Sequence, residues 1–176
     1  GKGSPGGIVN VVSKTPKEES AHQWVFEAGS FNRKQISFDS TGKLDEQGEW
    51  LYRFIGVNRD SDTQVDYVED NALVIAPSIT WRPSLDTELT FLVKYTDIES
   101  DTAAQFLPIY GTLFPASNGE QIAHSTYSGD PDFNRYDTQT TSYTVLGYHQ
   151  LSNNWSMEFT GRITDGSADY QQAWTA

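Results

Sequence analysis

The chain has 176 residues, with 12 Lys plus Arg against 24 Asp plus Glu, a formal net charge of −12. That balance excludes the basic stripe of a nucleic-acid surface, and the absence of Cys excludes both a disulfide scaffold and a thiolate metal site. Aromatic residues make up 13% of the chain, and no run approaches the ~18 apolar residues of a membrane helix, which leaves a barrel of alternating membrane strands open.

Residues 1–16 read GKGSPGGIVNVVSKTP. Gly1, Gly3 and Gly6 match the spacing of a dinucleotide fingerprint, but that motif needs a helix after it, and β-branched Ile8, Val9, Val11 and Val12 favour a strand. Pro5-Gly6 instead suits the centre of a type II turn. Residues 14–20 (KTPKEES) are polar and read as a linker.

From residue 22 the chain alternates with the strand period of two. Trp24, Phe26 and Ala28 share one face of the first strand, 22–29. A tight turn at 30–33 leads into 34–44, where Ile36 and Phe38 are apolar between Gln35, Ser37 and Asp39. The acidic turn DEQGE (45–49) leads into 50–59, with Trp50, Tyr52 and Phe54 on one face and Arg53 on the other. A longer polar loop at 60–68 precedes 69–82, in which Leu73, Ile75, Ile79 and Trp81 alternate with Val74, Ala76, Ser78, Thr80 and Arg82. After a short turn at 83–87, Leu89, Phe91, Val93 and Tyr95 define the apolar face of 88–98. Residues 99–136 are rich in Gly, Pro, Asn and Asp, and a loop this long in a compact fold is commonly functional. Strands at 137–151 and 155–164 flank a very short turn at 152–154, and residues 165–176 read as the start of another loop.

Connections at 45–49, 83–87 and 152–154 are short, and those at 60–68 and 99–136 are long, although the first, at 30–33, is short too. In an antiparallel meander this puts trimmed turns at one end and elaborated loops at the other, as in outer-membrane barrels. Trp50, Trp81 and Trp155 each abut a short turn, so they are expected at one height, as an interfacial girdle. Arg53, Arg82, Lys94 and Arg162 fall on the opposite, lumen-facing side. The chain opens on Gly1 and stops at Ala176 inside a polar aromatic stretch, so a fragment is expected. The rival reading is a soluble β-sandwich or adhesin-type module that buries Leu89, Phe91 and Val93 against a second sheet.

Two motifs carry a family resemblance. GSPGGIVNVVSKTP (3–16) resembles the end of the plug domain of TonB-dependent siderophore receptors. FLPIYGTLFP (106–115), with DPDFNRYD (130–137), is similar to an outer loop of their hydroxamate-type, ferrichrome-receptor branch, and IAPSITWRP (75–83) resembles the strand before it. The resemblance implies an all-β fold: about seven antiparallel, up-and-down strands of a barrel of about 22, preceded by the last plug strand. It divides the chain into a plug end (1–16), a linker (17–21) and the N-terminal part of the barrel (22–176). The implied function is outer-membrane import of a ferric siderophore, energised by the TonB complex through a plug segment absent here. Outer-membrane lipid is the other implied partner. A barrel receptor for vitamin B12, a sugar or another metal chelate is the alternative cargo.

In that branch an aromatic residue just before the Leu-Pro of the loop touches the siderophore. Here it is Phe106, and Tyr110 is the second candidate. The family has a Tyr two residues earlier, where this sequence has Ala104. Tyr127, Phe133 and Tyr136 read as anchors of the descending strand. Asp97, Glu99 and Asp101, and Asp60, Asp62 and Asp66, fit no calcium-loop spacing, and His22, His124 and His149 are scattered. No protein iron ligand, cofactor or catalytic residue is expected, because iron would arrive inside its chelator.

Overall fold

In a computed structural model, which describes residues 12–102 and 106–173, every regular element is a strand. The glycine motif and the Pro5-Gly6 turn lie outside the described residues, as does Ala104. The strands are β1 (Ala21–Ala28), β2 (Lys34–Lys43), β3 (Trp50–Asp60), β4 (Asp70–Ser84), β5 (Thr87–Ser100), β6 (Arg135–Ser152) and β7 (Trp155–Gln171). They form one sheet in chain order, each antiparallel to the next. Both outer strands leave an edge unpaired within this sheet, as expected of part of a larger barrel.

Turn chemistry sets the hairpins. Phe31 and Asn32 both take positive φ (59° and 55°), the combination whose twist matches a two-residue hairpin. The carboxylate of Asp45 accepts the Glu49 and Trp50 N–H groups at 3.2 and 2.8 Å, while Gly48 supplies the left-handed residue at φ 76°. Pro83 cannot donate to a ladder, and the β4–β5 register shifts between Trp81 and Ser84 just before the Leu85-Asp86 turn.

Burial runs opposite to that of a soluble domain. Among the described residues the buried hydrophobics are Leu51 and Val68, whereas Arg53, Thr80, Thr90 and Thr144 are buried. Thr80 and Thr90 share a buried hydroxyl hydrogen bond of 2.8 Å across the β4–β5 pair. Trp24, Phe26, Ile36, Phe54, Ile75, Phe91, Phe159 and Ile163 are exposed, and the registers place them all on one face. A contiguous apolar face of this size cannot stand in water. A sandwich would cover it with a second layer, and the described strands make one sheet only. The polar face is the covered one: residues 12–20 lie against it.

Those residues are fastened by charge. Arg53 donates to both oxygens of Asp39 at 2.8 and 2.6 Å and to the Thr15 carbonyl at 3.0 Å. Lys14 reaches Asp39 at 2.9 Å, the Lys17 N–H donates to Thr41 Oγ1 at 2.8 Å, and Glu18 pairs with Arg82 at 2.8 Å and Lys43 at 3.6 Å. The polar run that reads as a linker is thus tied to the strands over most of its length.

The tryptophans locate the trimmed end. Trp50 is the register partner of Trp81, their rings stack at 5.7 Å, and the Trp81 indole N–H donates to Glu49 at 3.0 Å. The row continues through Leu89 and Gly147 to Phe159. Trp155, which opens β7, stands four residues past Phe159. A slip of four residues over four strand spacings tilts the strands by roughly 35° if the turns lie at one level, the tilt of a membrane barrel. Along β4, the eight residue steps from Trp81 to Leu73 then span roughly 22 Å of height, close to the ~25 Å apolar band of such barrels.

Two boundaries differ from the sequence expectation. β6 runs over 18 residues, Arg135–Ser152, where 137–151 was expected. Residues 165–171 are not loop: Asp165, Gly166, Ser167 and Ala168 pair with Thr141, Thr140, Gln139 and Thr138. Above the apolar band both faces of a strand are polar, so the alternation that announces it vanishes while the ladder continues.

Candidate functional site

The elaborated end carries three connections bound into one rim. The β1–β2 turn meets the β3–β4 loop where the Asp62 N–H donates to the Phe31 carbonyl at 3.0 Å and Asn32 Nδ2 donates to the Asp62 carboxylate at 2.7 Å. The β3–β4 loop meets the β5–β6 loop where the Asp66 N–H donates to the Ser125 carbonyl at 2.8 Å, with the Tyr67 and Tyr127 rings 6.1 Å apart. The long loop is pinned at both feet, to the last residue of β7 and to the chain just beyond it. Thr102 Oγ1 donates to the Gln171 carbonyl at 3.2 Å, and Asn134 Oδ1 accepts the Ala173 N–H at 2.6 Å.

Phe106 and Tyr110 both lie on this long loop, 63% and 71% exposed. Tyr110 belongs to a hydrogen-bonded knob. The Ile109 carbonyl accepts the N–H groups of Leu113 and Phe114 at 3.0 and 3.1 Å, and the Gly111 N–H donates to the Phe114 carbonyl at 2.6 Å. Gly111 sits at φ 98°, and a Cβ there would lie 3.1 Å from Ile122, so the position demands glycine. The Tyr110 and Phe114 rings face each other at 6.1 Å, and Ile109, Leu113 and Phe114 are exposed as well. A knob held by its own backbone thus presents apolar groups to the outside, suited to stacking on a bulky ligand. Ile109, Leu113 and Phe114 share this exposed knob with Tyr110 and are not singled out by the sequence; the alternation of large apolar residues with Pro and Gly in FLPIYGTLFP is the available signal.

The weaker aromatic candidates separate. Tyr136 is a β6 strand residue, edge-on to Tyr170 at 5.9 Å, and Phe133 is exposed. Tyr127 is half-buried; its hydroxyl is enclosed between Asn134 and Thr102 without a partner in hydrogen-bonding geometry, and burial pushes its pKa up. Asp101 at the loop's foot is also pushed above the ordinary carboxylate value, chiefly by burial and further by the like charge of Asp137. The rim is acidic: Glu69, Glu99, Asp101, Asp132 and Asp137 line one open depression, with Arg135 among them.

No family model matches the chain. Among curated proteins it is 36% identical over 152 residues to the ferrichrome outer membrane transporter/phage receptor of Escherichia coli (strain K12), a match covering 84% of this chain and 19% of that protein. It is 30% identical over 160 residues to the ferrioxamine B receptor of Salmonella typhimurium (strain SL1344), covering 89% of this chain and 22% of the relative. The chain therefore spans about a fifth of the length of the curated relatives it matches. Among solved structures, the ferric-catecholate import receptor Fiu of E. coli K12 superposes on 98% of this chain and 25% of its own, with a TM-score of 0.83 at 18% identity, a likeness of fold. The chain belongs, over the stretch it spans, to the TonB-dependent siderophore receptors, and its seven strands are part of their barrel.

Proposed function

We propose that the whole protein is an outer-membrane active transporter that binds a ferric siderophore of the hydroxamate class at the rim and passes it inward. The observation that carries this reading is the pairing of an outward apolar face with a rim bearing a preformed aromatic knob. The ferrichrome and ferrioxamine B receptors among the relatives support hydroxamate cargo. Phe106 and Tyr110 are proposed to pack against the chelate, and the iron stays within the siderophore without a protein ligand. Energy would come from the TonB complex acting on a segment outside this chain. Residues 1–16 are proposed as the end of the plug, 17–21 as its link and 22–176 as barrel wall, set in the outer membrane of a Gram-negative cell.

The test is uptake and direct binding by the full-length receptor, one ferric siderophore at a time. Phe106→Ala and Tyr110→Ala should each weaken binding of a ferric hydroxamate, by about 1 kcal/mol or more if the ring stacks on it, with normal amounts of receptor in the membrane. Unchanged affinity in both variants removes this loop from the site. Uptake of vitamin B12 or a sugar, with no ferric hydroxamate bound, would replace the cargo.

A further inference from the structure

Among the described residues the strands' polar face holds Lys43, Arg53, Arg59, Arg82, Lys94 and Arg162; Lys43 pairs with Glu18 and Arg59 with Asp70, and the other four divide into two classes. Arg53 and Arg82 are matched by Asp39, Glu18 and Glu88. Lys94 on β5 and Arg162 on β7 are not: among the described residues neither forms an ion pair, and Arg162 spends its Nε–H on Thr144 Oγ1 at 2.9 Å. Their surroundings are hydroxyls. Lys94 is registered with Ser142, which is registered with Thr164; one row nearer the short turns, Leu92, Thr144 and Arg162 align. Glu158, on the polar face of β7, stands four residues from Arg162, towards the short turns.

Both cations line one cavity of about 390 Å³, together with Lys14, Ser78, Ser142 and Thr144. Lys14 is already engaged by Asp39. Two strand spacings and a two-residue offset put the Lys94 and Arg162 Cα atoms roughly 12 Å apart, a gap that two long cationic side chains can close on one anion. In a receptor barrel this face looks into a filled lumen, where an unmatched cation loses hydration without compensation. Residues 12–20 already dock on the same face by pairing charge with charge. Glu18, the acid of this stretch that forms ion pairs among the described residues, is used by Arg82 and Lys43.

We propose that Lys94 and Arg162 form a docking pair for a carboxylate carried by a part of the same polypeptide outside residues 1–176 that fills the barrel. This rests on the reading of the chain as one portion of a longer receptor. The pair would extend the charge-matched seam that begins at Asp39 and Arg53, and the Ser and Thr hydroxyls would accept the remaining N–H groups of the two cations.

The test treats full-length receptor in outer-membrane vesicles with a water-soluble carbodiimide. The reagent activates a carboxyl group; Lys94 Nζ then displaces the urea and forms an amide if the two groups were in contact. Peptide mass spectrometry should find Lys94 joined to an Asp or Glu outside residues 1–176, with Lys14–Asp39 as the internal reference pair. Lys94→Arg should abolish the crosslink, since a guanidinium keeps the charge without being acylated, and Arg162→Gln should lower its yield. Paired reversal, Lys94→Glu with Arg162→Glu, should cut the amount of receptor reaching the membrane more than Lys94→Gln with Arg162→Gln. An unmodified Lys94 beside a crosslinked Lys14, a crosslink only within residues 1–176, or full assembly of the reversed pair overturns the proposal. Ferric hydroxamate binding is measured on the same vesicles. Binding without the Lys94 crosslink sinks the docking pair and leaves the transporter reading intact; the crosslink without binding does the reverse.

Discussion

Replacing Arg53 with Gln should loosen residues 12–20 from the wall far more than the same change at Arg82. Arg53 lies 9% exposed, and its three donor nitrogens serve the two Asp39 oxygens and the Thr15 carbonyl. The Arg53–Asp39 side chains are 10% and 17% exposed, so little water screens them. Removing one member of a buried pair costs ~3–5 kcal/mol, part of which Lys14 would recover by staying on Asp39. What bears directly on residues 12–20 is the bond from the charged guanidinium to the Thr15 carbonyl, about 2 kcal/mol. The sensitive probe is the Lys17 amide, which donates to Thr41 Oγ1 at 2.8 Å only while this stretch is docked. By that estimate Arg53→Gln should speed its hydrogen exchange about 30-fold in the full-length receptor. Arg82 also pairs with Glu18 at 2.8 Å, but those side chains are 31% and 55% exposed, and such pairs contribute under about 1 kcal/mol, or fivefold in rate. Equal acceleration by both variants would refute the reasoning that burial decides which pair holds the chain. So would no acceleration by Arg53→Gln.

Phe91 lies on the apolar face opposite Ile79 and Val145, 45% exposed. Phe91→Arg puts a charge near mid-membrane at about 2–4 kcal/mol and should lower the amount of receptor in the outer membrane; normal amounts would reverse the assignment of faces. Asp101 gives a pH prediction. Its carboxyl is raised above the ordinary 3.8 by burial and by Asp137, so the native fold binds its proton more tightly than the unfolded chain does. The charged form therefore costs stability at neutral pH. That cost should be relieved as pH falls through the native value, with the gain complete below about the ordinary one. Exchange protection at the loop foot, read at the Ala173 amide bound to Asn134 and corrected for intrinsic rates, should rise as pH drops from 7 towards 4. Asp101→Asn should flatten that rise; an unaltered slope would assign it elsewhere.

The alternation of apolar and polar residues made the strands legible, and parity alone put Arg53, Arg82, Lys94 and Arg162 on one face. Parity carries no information about partners. Glu18 reaches Arg82 across 64 residues of sequence, and Asp39 reaches Arg53 across 14. Each contact exists only because the sheet's register brings distant rows together, and register is set jointly by every hairpin. The rim shows the same limit. Asp66 and Ser125 are joined by backbone atoms, which leave no mark on residue type. Phe106 and Tyr110 could be placed on an outer loop, but the knob that fixes Tyr110 depends on the left-handed turn at Gly111 and its bond to Phe114.

The strand extension at 165–171 exposes the physical basis of this limit. Alternation in sequence records a difference between two solvents, lipid on one side and a polar interior on the other. Where β6 and β7 rise past the apolar band both sides are wet, so Asp165, Ser167 and Asp169 stand on the face that Phe159 and Ile163 occupy lower down. The ladder persists because each backbone N–H and C=O still needs a partner. A membrane strand is therefore readable from its sequence only across the lipid. The loops proposed to receive the cargo begin where that signal stops, and this is why Phe106 and Tyr110 are proposed on a resemblance whereas Phe91 is placed by its alternation.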